Sequence, residues 1–379
     1  MRDKARSRVW CASILLLVAA GCQEKHSKPP KGAKPPELVS AAARHASLAR
    51  ARVWVRPPVP IGSADFTLNP PGADSFDPAA DVDCTFSRKK VGGTTPKFLC
   101  TLASGETVKV KYGQPNGEVP SEIAATRLLS ALGFPTDRMY RVHSVRCRGC
   151  PVLPHQALQC LAKGLPSTVC MEGATEGNTV RFDYAAIERP FDGRKIEAQE
   201  DQGWSWYELD QLDPALGGSP RAHVDALRIV ALLLAHWDNK GENQRLVCPP
   251  DADRPDGSCS APLAIVQDLG GTFGPSRVDL PNWKSAPMWG DARACRVSMS
   301  TLPFAGGTFG EQRISEEGRK FALQLLRQLS REQLNTLFTA AGVTSFNHVL
   351  AEARNADSWA DVFLAKVEQI ASGGPCAAA

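Results

Sequence analysis

The sequence lacks the short motifs that mark several large enzyme classes. It contains no G-x-S-x-G, no H-E-x-x-H and no G-x-x-x-x-G-K segment. These motifs carry the nucleophile of serine hydrolases, the zinc site of many metalloproteases and the phosphate loop of P-loop nucleotide hydrolases. The sequence also has no internal repeat of the kind that builds solenoids. A hydrolase of these types is therefore not supported.

The sequence also lacks a hydrophobic run long enough to span a membrane. Its longest run at the N-terminus, Trp10 to Ala20, has eleven mostly apolar residues after the basic residues Arg2, Lys4, Arg6 and Arg8. A spanning helix needs about 20 residues, whereas a secretion signal needs fewer. The run ends in Val18-Ala-Ala-Gly-Cys22, which resembles the lipobox of bacterial lipoproteins. That resemblance implies lipidation of Cys22, although a plain secretion signal with an incidental cysteine stays open.

The net positive charge of the chain is small once this signal is removed. Residues 1–21 carry four of the basic residues and one acidic residue, so the remaining chain has 40 basic against 39 acidic residues, a net charge of +1. Nucleic-acid binding needs clustered positive charge, and we expect no nucleic-acid partner. Gln23 after the lipidation site, rather than Asp, favours an outer-membrane destination.

Cysteine is abundant for an ordinary globular chain. Ten of the twelve cysteines remain after Cys11 and Cys22. An even number in an exported chain favours disulfides. We expect Cys248 to pair with Cys259 at the base of a loop, and Cys84 to pair with Cys100 across two strands. Two readings stay open for the remaining close group, disulfides or a zinc site; the group is Cys147, Cys150, Cys160 and Cys170.

The pattern of apolar residues and turns predicts an α+β protein. Strands are expected at Cys84–Ser87, Lys97–Leu102, 107–112, 140–145 and 181–188, with one helix at Pro120–Leu132 ended by Gly133. Helices dominate downstream, at 221–236, 315–329 and 330–341 and near Phe346 and Trp359. The predicted organisation is a signal at 1–22, a Lys- and Pro-rich tether at 23–40, a helix and irregular extension at 41–82, a small β-rich lobe at 83–190 and a larger helical lobe at 191–379.

The most informative segment follows the strongest predicted helix. It reads His236-Trp-Asp238-Asn-Lys240-Gly-Glu-Asn243, and beyond a Pro- and Asp-rich excursion comes Ala264-Ile-Val-Gln-Asp268-Leu-Gly-Gly. Each piece alone is common in turns and caps. Together they match in spacing the H-x-D-x-x-x-x-N catalytic loop and the D-F-G element of protein kinases, with Leu269 in place of Phe. The sequence therefore resembles the protein-kinase-like superfamily, and among its branches the HipA-like, spore-coat and secretory-pathway kinases.

The resemblance implies a two-lobed kinase-like fold with a Mg²⁺ and nucleotide site. Asp238 would take the proton of an attacking hydroxyl and Lys240 would steady the transferred group. Asn243 and Asp268 are hard oxygen ligands suited to Mg²⁺. The cofactors would be Mg²⁺ and ATP or another nucleoside triphosphate.

The β-rich lobe would supply the remaining site residues. The resemblance favours Lys111 on the third strand and Glu122 on the helix, with Lys109 and Glu118 as competitors because strand parity does not separate the lysines. The loop Gly92-Gly93-Thr94-Thr95 occupies the position of a phosphate-covering loop, although it reads equally well as a hairpin turn. Ile187–Phe191 would form the hinge between the lobes.

Three departures separate the sequence from typical kinases. Trp237 stands where many kinases have an arginine that contacts the phosphorylated activation loop. The glycine loop lacks G-x-G-x-x-G. The excursion between Asn243 and Asp268 is an unusual insertion that we expect to cover the site. The leading hypothesis is an exported phosphotransferase acting on a hydroxyl of a protein, sugar or lipid and anchored to the envelope by lipid. Two alternatives remain: a catalytically inactive kinase-fold binding lipoprotein, and a structural envelope lipoprotein.

Overall fold

The computed structural model describes residues 38–175, 177–199, 201–300, 302 and 306–377. The predicted signal, the lipidation site Cys22 and most of the predicted tether lie outside the described residues. Residues 38–377 belong to one compact unit. The strands are β1 (Asp81–Ser87), β2 (Lys97–Leu102), β3 (Thr107–Lys111), β4 (Arg138–Arg148), β5 (Thr179–Arg189), β6 (Arg194–Lys195), β7 (Gln244–Cys248), β8 (Leu263–Val266), β9 (Arg296–Val297) and β10 (Gln312–Arg313). The α-helices are α1 (Ala41–Ala49), α2 (Glu118–Leu132), α3 (Pro154–Ala162), α4 (Ser167–Cys170), α5 (Arg221–Leu233), α6 (Leu280–Ser285), α7 (Glu316–Leu326), α8 (Arg331–Ala340) and α9 (Ala356–Ser372).

The N-terminal strands form a small closed barrel in the order β1-β2-β3-β5-β4, and the parallel pairing of β1 with β4 closes it. Alternation along each strand divides the residues between two faces. Phe98 of β2 and Val110 of β3 are paired in register and belong to the apolar core of the barrel. Lys97 and Lys111 are the neighbouring pair, so they lie on the outer face. The five strands predicted from the sequence are all confirmed.

Helix α2 crosses this outer face and begins two residues before the predicted start, at Glu118. It ends at Gly133, which has φ +91° and caps the helix in the left-handed conformation. A Cβ on Gly133 would approach the carbonyl oxygen of Val55 to 2.4 Å, so the position requires glycine. The helix is held on one side by the barrel and on the other by the helical part of the molecule.

The helical part is built around α5, whose residues from Val224 to Leu233 are all buried. Helix α8 begins with a capping box formed by Ser330 and Gln333. The helix predicted near Phe346 is wrong. Gly342 has φ +85° there, and His348 Nε2 lies 2.7 Å from the carbonyl oxygen of Val343, so this stretch forms turns before α9.

Two short helices, α3 and α4, lie between β4 and β5 and were not predicted. The β-rich part therefore has three helices among the described residues rather than one. The overall α+β layout, a β-rich part followed by a larger helical part, is confirmed. The boundary predicted near residue 190 stays a prediction.

Five disulfides join all the cysteines of the described residues. The predicted pairs Cys84–Cys100 and Cys248–Cys259 are confirmed. The zinc alternative is wrong, because disulfide sulfurs are not thiolate ligands. The pairs that the sequence left open are Cys147–Cys150, Cys160–Cys170 and Cys295–Cys376.

The N-terminal extension packs against both parts of the molecule. Helix α1 ends at Ala49, and Arg52 beyond its end pairs with Leu263, the first residue of β8. Ser47 of α1 accepts a hydrogen bond from the Cys259 amide at 3.0 Å. Farther along, the Asn69 side chain binds Arg127 and the backbone of Arg141. Within the part of the chain that the structure describes, no helix combines the length and apolar character needed to cross a membrane.

Candidate active site

A fully buried lysine lies where β3 meets α2. The Nζ atom of Lys111 is 2.5 Å from Oε2 of Glu122, one turn beyond the start of α2. Because Lys111 and Lys109 alternate with the core residues Val108 and Val110, both lysines lie on the outer barrel face, toward α2. Lys111 is the one that contacts Glu122.

Three further carboxylates lie within 4 Å of the same ammonium group. The distances from Lys111 Nζ are 3.1 Å to Asp268, 3.5 Å to Glu188 and 3.9 Å to Glu118. Glu188 also binds Lys109, at 2.5 Å. The competing residues of the sequence analysis are therefore both present: Lys109 pairs with Glu188 on β5, and Glu118 stands one turn before Glu122 on α2. We call Lys111 and these four carboxylates the acidic cluster.

Electrostatics in the acidic cluster is dominated by burial and by mutual attraction. Burial disfavours the charge of Lys111, but attraction by Glu122, Asp268 and the other carboxylates outweighs it and holds the pKa of Lys111 well above its usual range. Lys111 in turn holds the pKa of Asp268 well below its ordinary value, against the effect of burial. Burial raises the pKa of Glu122 to about 8, although Lys111 opposes this shift. The protonation of Lys111, Glu122 and Asp268 is therefore interdependent.

The segment from His236 to Asn243 lies next to Asp268. The Asn243 side-chain nitrogen donates to the backbone oxygen of Asp238 at 2.7 Å, and the Asn243 carbonyl accepts from the Gln267 amide at 3.3 Å. The backbone amide of Trp237 donates to the Gly271 carbonyl at 3.1 Å. These contacts bring the two sequence segments of the motif together at one end of the β7–β8 hairpin. Asp238 Oδ1 lies 3.1 Å from Lys240 Nζ.

The backbone around Asp268 is unusual. Asp268 has φ +51°, a left-handed conformation that non-glycine residues adopt at a cost and that is concentrated at functional sites. Gly270 follows at a close approach, because a Cβ there would come within 2.5 Å of Glu118 Cγ. Its carbonyl accepts a hydrogen bond from Ser121 Oγ at 2.8 Å. Helix α2 and the segment after Asp268 are therefore locked together.

The residues predicted to hold a divalent cation have suitable chemistry. Carboxylate and amide oxygens are the ligands that Mg²⁺ prefers. The Asn243 nitrogen is engaged by Asp238, which leaves its Oδ1 as the available donor, and Asp268 keeps 35% of its side chain exposed. Within the described residues no hydrogen bond reaches Asn243 Oδ1. Asn243 and Asp268 would therefore hold the cation.

The loop at Gly92 to Thr95 reaches the acidic cluster through one residue. Thr95 Oγ1 donates to Glu118 Oε2 at 2.5 Å. Gly92 and Thr94 are exposed, and Gly93 has φ +80°. A Cβ on Gly93 would lie 2.7 Å from the Nζ atom of Lys97. The loop therefore lies directly over a lysine that the sequence analysis did not single out.

Four residues near the site were missed from the sequence. Lys97 and Glu188 share the outer face with Lys111, and strand register alone could have indicated both. Asn239 accepts two hydrogen bonds at 2.9 Å, from the amides of Thr308 and Phe309, and so fixes the segment that faces the His236–Asn243 turn. Arg277 lies 3.4 Å from Glu118 and stacks over the ring of Trp237. No pattern in the sequence predicts these contacts.

Among the described residues, no hydrogen bond or ion pair joins the Cys248–Cys259 excursion to the acidic cluster. The excursion packs instead against α1 and β6, through the Cys259 amide on Ser47 and through Asp253 on Arg194 at 2.6 Å. The expectation that this excursion covers the site is therefore not supported by its contacts. At the other predicted feature, the hinge, the Phe191 amide donates to Asp137 Oδ1 at 2.8 Å, and Asp137 also pairs with Arg245 of β7.

The comparisons with known proteins include a remote structural likeness. No protein-family model matches the chain, and no curated protein is similar to it in sequence. A solved structure of the Helicobacter pylori proinflammatory kinase CtkA resembles the chain with a TM-score of 0.41 and 10% sequence identity, over 77% of this chain and 97% of that one. A likeness this remote does not establish a shared activity.

Proposed function

We propose that the protein is a Mg²⁺- and nucleotide-dependent phosphotransferase that acts on a hydroxyl group. The observation that carries the proposal is the arrangement around Lys111. A buried ammonium contacts Glu122 at 2.5 Å and Asp268 at 3.1 Å, and Asp268 adjoins the turn that bears Asp238 and Asn243. A purely structural role would not need four carboxylates around one lysine, since their mutual repulsion costs stability.

The chemistry follows from what each residue can do. The acceptor oxygen attacks the terminal phosphorus, the bond from that phosphorus to the bridging oxygen breaks, and the nucleoside diphosphate leaves. Asp238 takes the proton of the attacking hydroxyl. Lys111, held by Glu122, contacts the phosphate oxygens, and Lys240, 3.1 Å from Asp238, lies beside the transferred group. Mg²⁺ held by Asn243 and Asp268 would neutralise charge that develops on the phosphate oxygens.

We also propose that the enzyme is exported and attached to the bacterial envelope through lipid on Cys22. Five disulfides support an oxidising compartment, because such bonds are rare in reducing ones. Metabolic labelling with a radioactive fatty acid tests the anchor: the wild-type chain should incorporate label and Cys22→Ala should not. Equal labelling of both would show that the anchor is elsewhere.

The experiment that tests the activity begins with thermal unfolding of the full chain in a panel of nucleoside triphosphates, with and without Mg²⁺. Stabilisation that requires both the nucleotide and Mg²⁺ supports the proposal. No stabilisation by any triphosphate overturns it and leaves a structural envelope protein. A second assay then measures transfer of labelled phosphate to a hydroxyl acceptor or to water. Transfer indicates an enzyme, whereas binding without transfer indicates a kinase-fold binding protein.

A further inference from the structure

A second lysine lies beside the acidic cluster and has not been given a role. Lys97 begins β2 and is paired in register with Lys111, so the two side chains leave neighbouring strands on the same face of the barrel. Only 7% of Lys97 is exposed. Lysine is rarely this buried unless its ammonium has a partner.

The Lys97 ammonium has no such partner. Within the residues that the structure describes, no carboxylate lies within 4 Å of its Nζ atom and no hydrogen bond leaves it, whereas Lys109 and Lys111 on the adjacent strand both have carboxylates at 2.5 Å. The positive charge of Lys97 nonetheless acts on Asp268. Together with Lys111, which has the larger effect, it holds the pKa of Asp268 below its ordinary value.

The position of this ammonium fits an anion that arrives from outside. Lys97 Nζ lies under Gly93, where a Cβ would approach to 2.7 Å, and Gly93 belongs to the exposed loop of Gly92 to Thr95. Gly93 has φ +80°, and its lack of a Cβ leaves the space beside the amine free of a side chain. The stem of Lys97 is buried while its ammonium reaches solvent without a carboxylate partner among the described residues, and a cation placed in this way below a glycine turn is suited to bind phosphate oxygens.

We propose that Lys97 is a phosphate-binding residue that contacts the polyphosphate of the nucleotide from beneath the Gly92–Thr95 loop. The inference rests on the proposed function and adds a residue and a specificity to it. The charge of Lys111 is opposed by four surrounding carboxylates. Lys97 therefore adds to the contact that Lys111 makes a second ammonium that no described carboxylate neutralises. It follows that the site prefers triphosphates over monophosphates through Lys97.

The test compares Lys97→Met with Lys90→Met, a matched control whose exposed side chain lies in the connection between β1 and β2. Affinities of the full chain for Mg-ATP, AMP and adenosine are measured by calorimetry. A charge-assisted hydrogen bond lost from a buried site corresponds to roughly 10- to 100-fold weaker binding. We expect that loss for Mg-ATP with Lys97→Met, little change for adenosine, and wild-type affinities for Lys90→Met. Lys97→Arg should retain most of the Mg-ATP affinity.

The outcomes separate the two proposals. If the wild type binds Mg-ATP and Lys97→Met binds it equally well, the assignment of Lys97 is wrong and the proposed function stands. If the wild type binds no triphosphate, both are wrong. Should the Lys97 variants fail to fold, acetylation of the wild-type chain followed by mass spectrometry replaces them. Mg-ATP but not adenosine should then protect Lys97, and equal acetylation with both ligands overturns the assignment.

Discussion

Replacing Asp268 by asparagine separates the energetics of the fold from those of the proposed metal site. At an effective dielectric constant of about 20, the attraction across the 3.1 Å between Asp268 and Lys111 is roughly 5 kcal/mol before desolvation. Most of this is offset. Asp268 is one-third exposed, so solvent screens it, and Lys111 keeps Glu122 at 2.5 Å and Glu188 at 3.5 Å.

Removing this charge also relieves repulsion, since the negative charge of Asp268 disfavours the ionised forms of both Glu122 and Glu188. We therefore expect Asp268→Asn to change the free energy of unfolding of the ligand-free protein by no more than about 1 kcal/mol. In contrast, Mg-nucleotide at a hundred times its dissociation constant should stabilise the wild type by about 2.7 kcal/mol, which is a shift of roughly 4 °C in a chain of this size. The variant should lose that shift.

The assay is thermal unfolding over a titration of Mg-ATP, with Asp183→Asn as the control. Asp183 forms an ion pair of 2.8 Å with Arg181 on an exposed part of β5, so it tests the general effect of losing such a pair. The reasoning is refuted if Asp268→Asn responds to Mg-ATP as the wild type does. It is also refuted if the ligand-free variant is destabilised by several kcal/mol, because Asp268 would then serve the fold.

Three further predictions concern catalysis, pH and the disulfides. Asp238→Ala should keep Mg-nucleotide affinity within about threefold but lower phosphoryl transfer by roughly 100-fold or more in a radiolabel assay, and unchanged transfer would remove Asp238 from the mechanism. The pKa of Glu122, about 8 in the fold against 4.5 for an ordinary glutamate, means that the folded protein holds a proton that the unfolded chain has lost. Stability should therefore fall as the pH rises from about 5 to 8, and chemical denaturation of Glu122→Gln should show a flatter profile; an identical slope would contradict this. The Cys248→Ser, Cys259→Ser double variant should lose about 3 kcal/mol in chemical denaturation, as expected for a short closed loop, while keeping its Mg-nucleotide affinity because the excursion packs on α1; loss of affinity would place it at the site.

The sequence predicted the strands of the barrel well because their alternation is regular and their turns are rich in glycine. It placed Lys111 and Lys109 on one face but could not choose between them, since parity is the same for both. Burial makes that choice: Lys111 is fully buried, whereas Lys109 keeps 35% of its side chain exposed. Glu118 and Glu122 were similarly alternatives, yet one turn of helix brings both within 4 Å of Lys111.

Other parts of the site depend on tertiary contacts that a single sequence does not display. Lys97 reads as the polar first residue of a strand, and its burial results from the fold of the glycine loop above it. Glu188 reads as the start of a hinge, and its role depends on the register of β5 against β3. Near Phe346 the apolar residues suggested a helix, but Gly342 and the contact of His348 with Val343 turn the chain instead.

The most direct test of the central claim is a crystal structure with Mn²⁺ and a non-hydrolysable triphosphate, read from the anomalous signal of the metal. We expect a Mn²⁺ peak at about 2.1–2.3 Å from both a carboxylate oxygen of Asp268 and Oδ1 of Asn243, with the triphosphate alongside it. A metal peak at any other site, or a bound triphosphate with no metal at these two residues, would contradict the account.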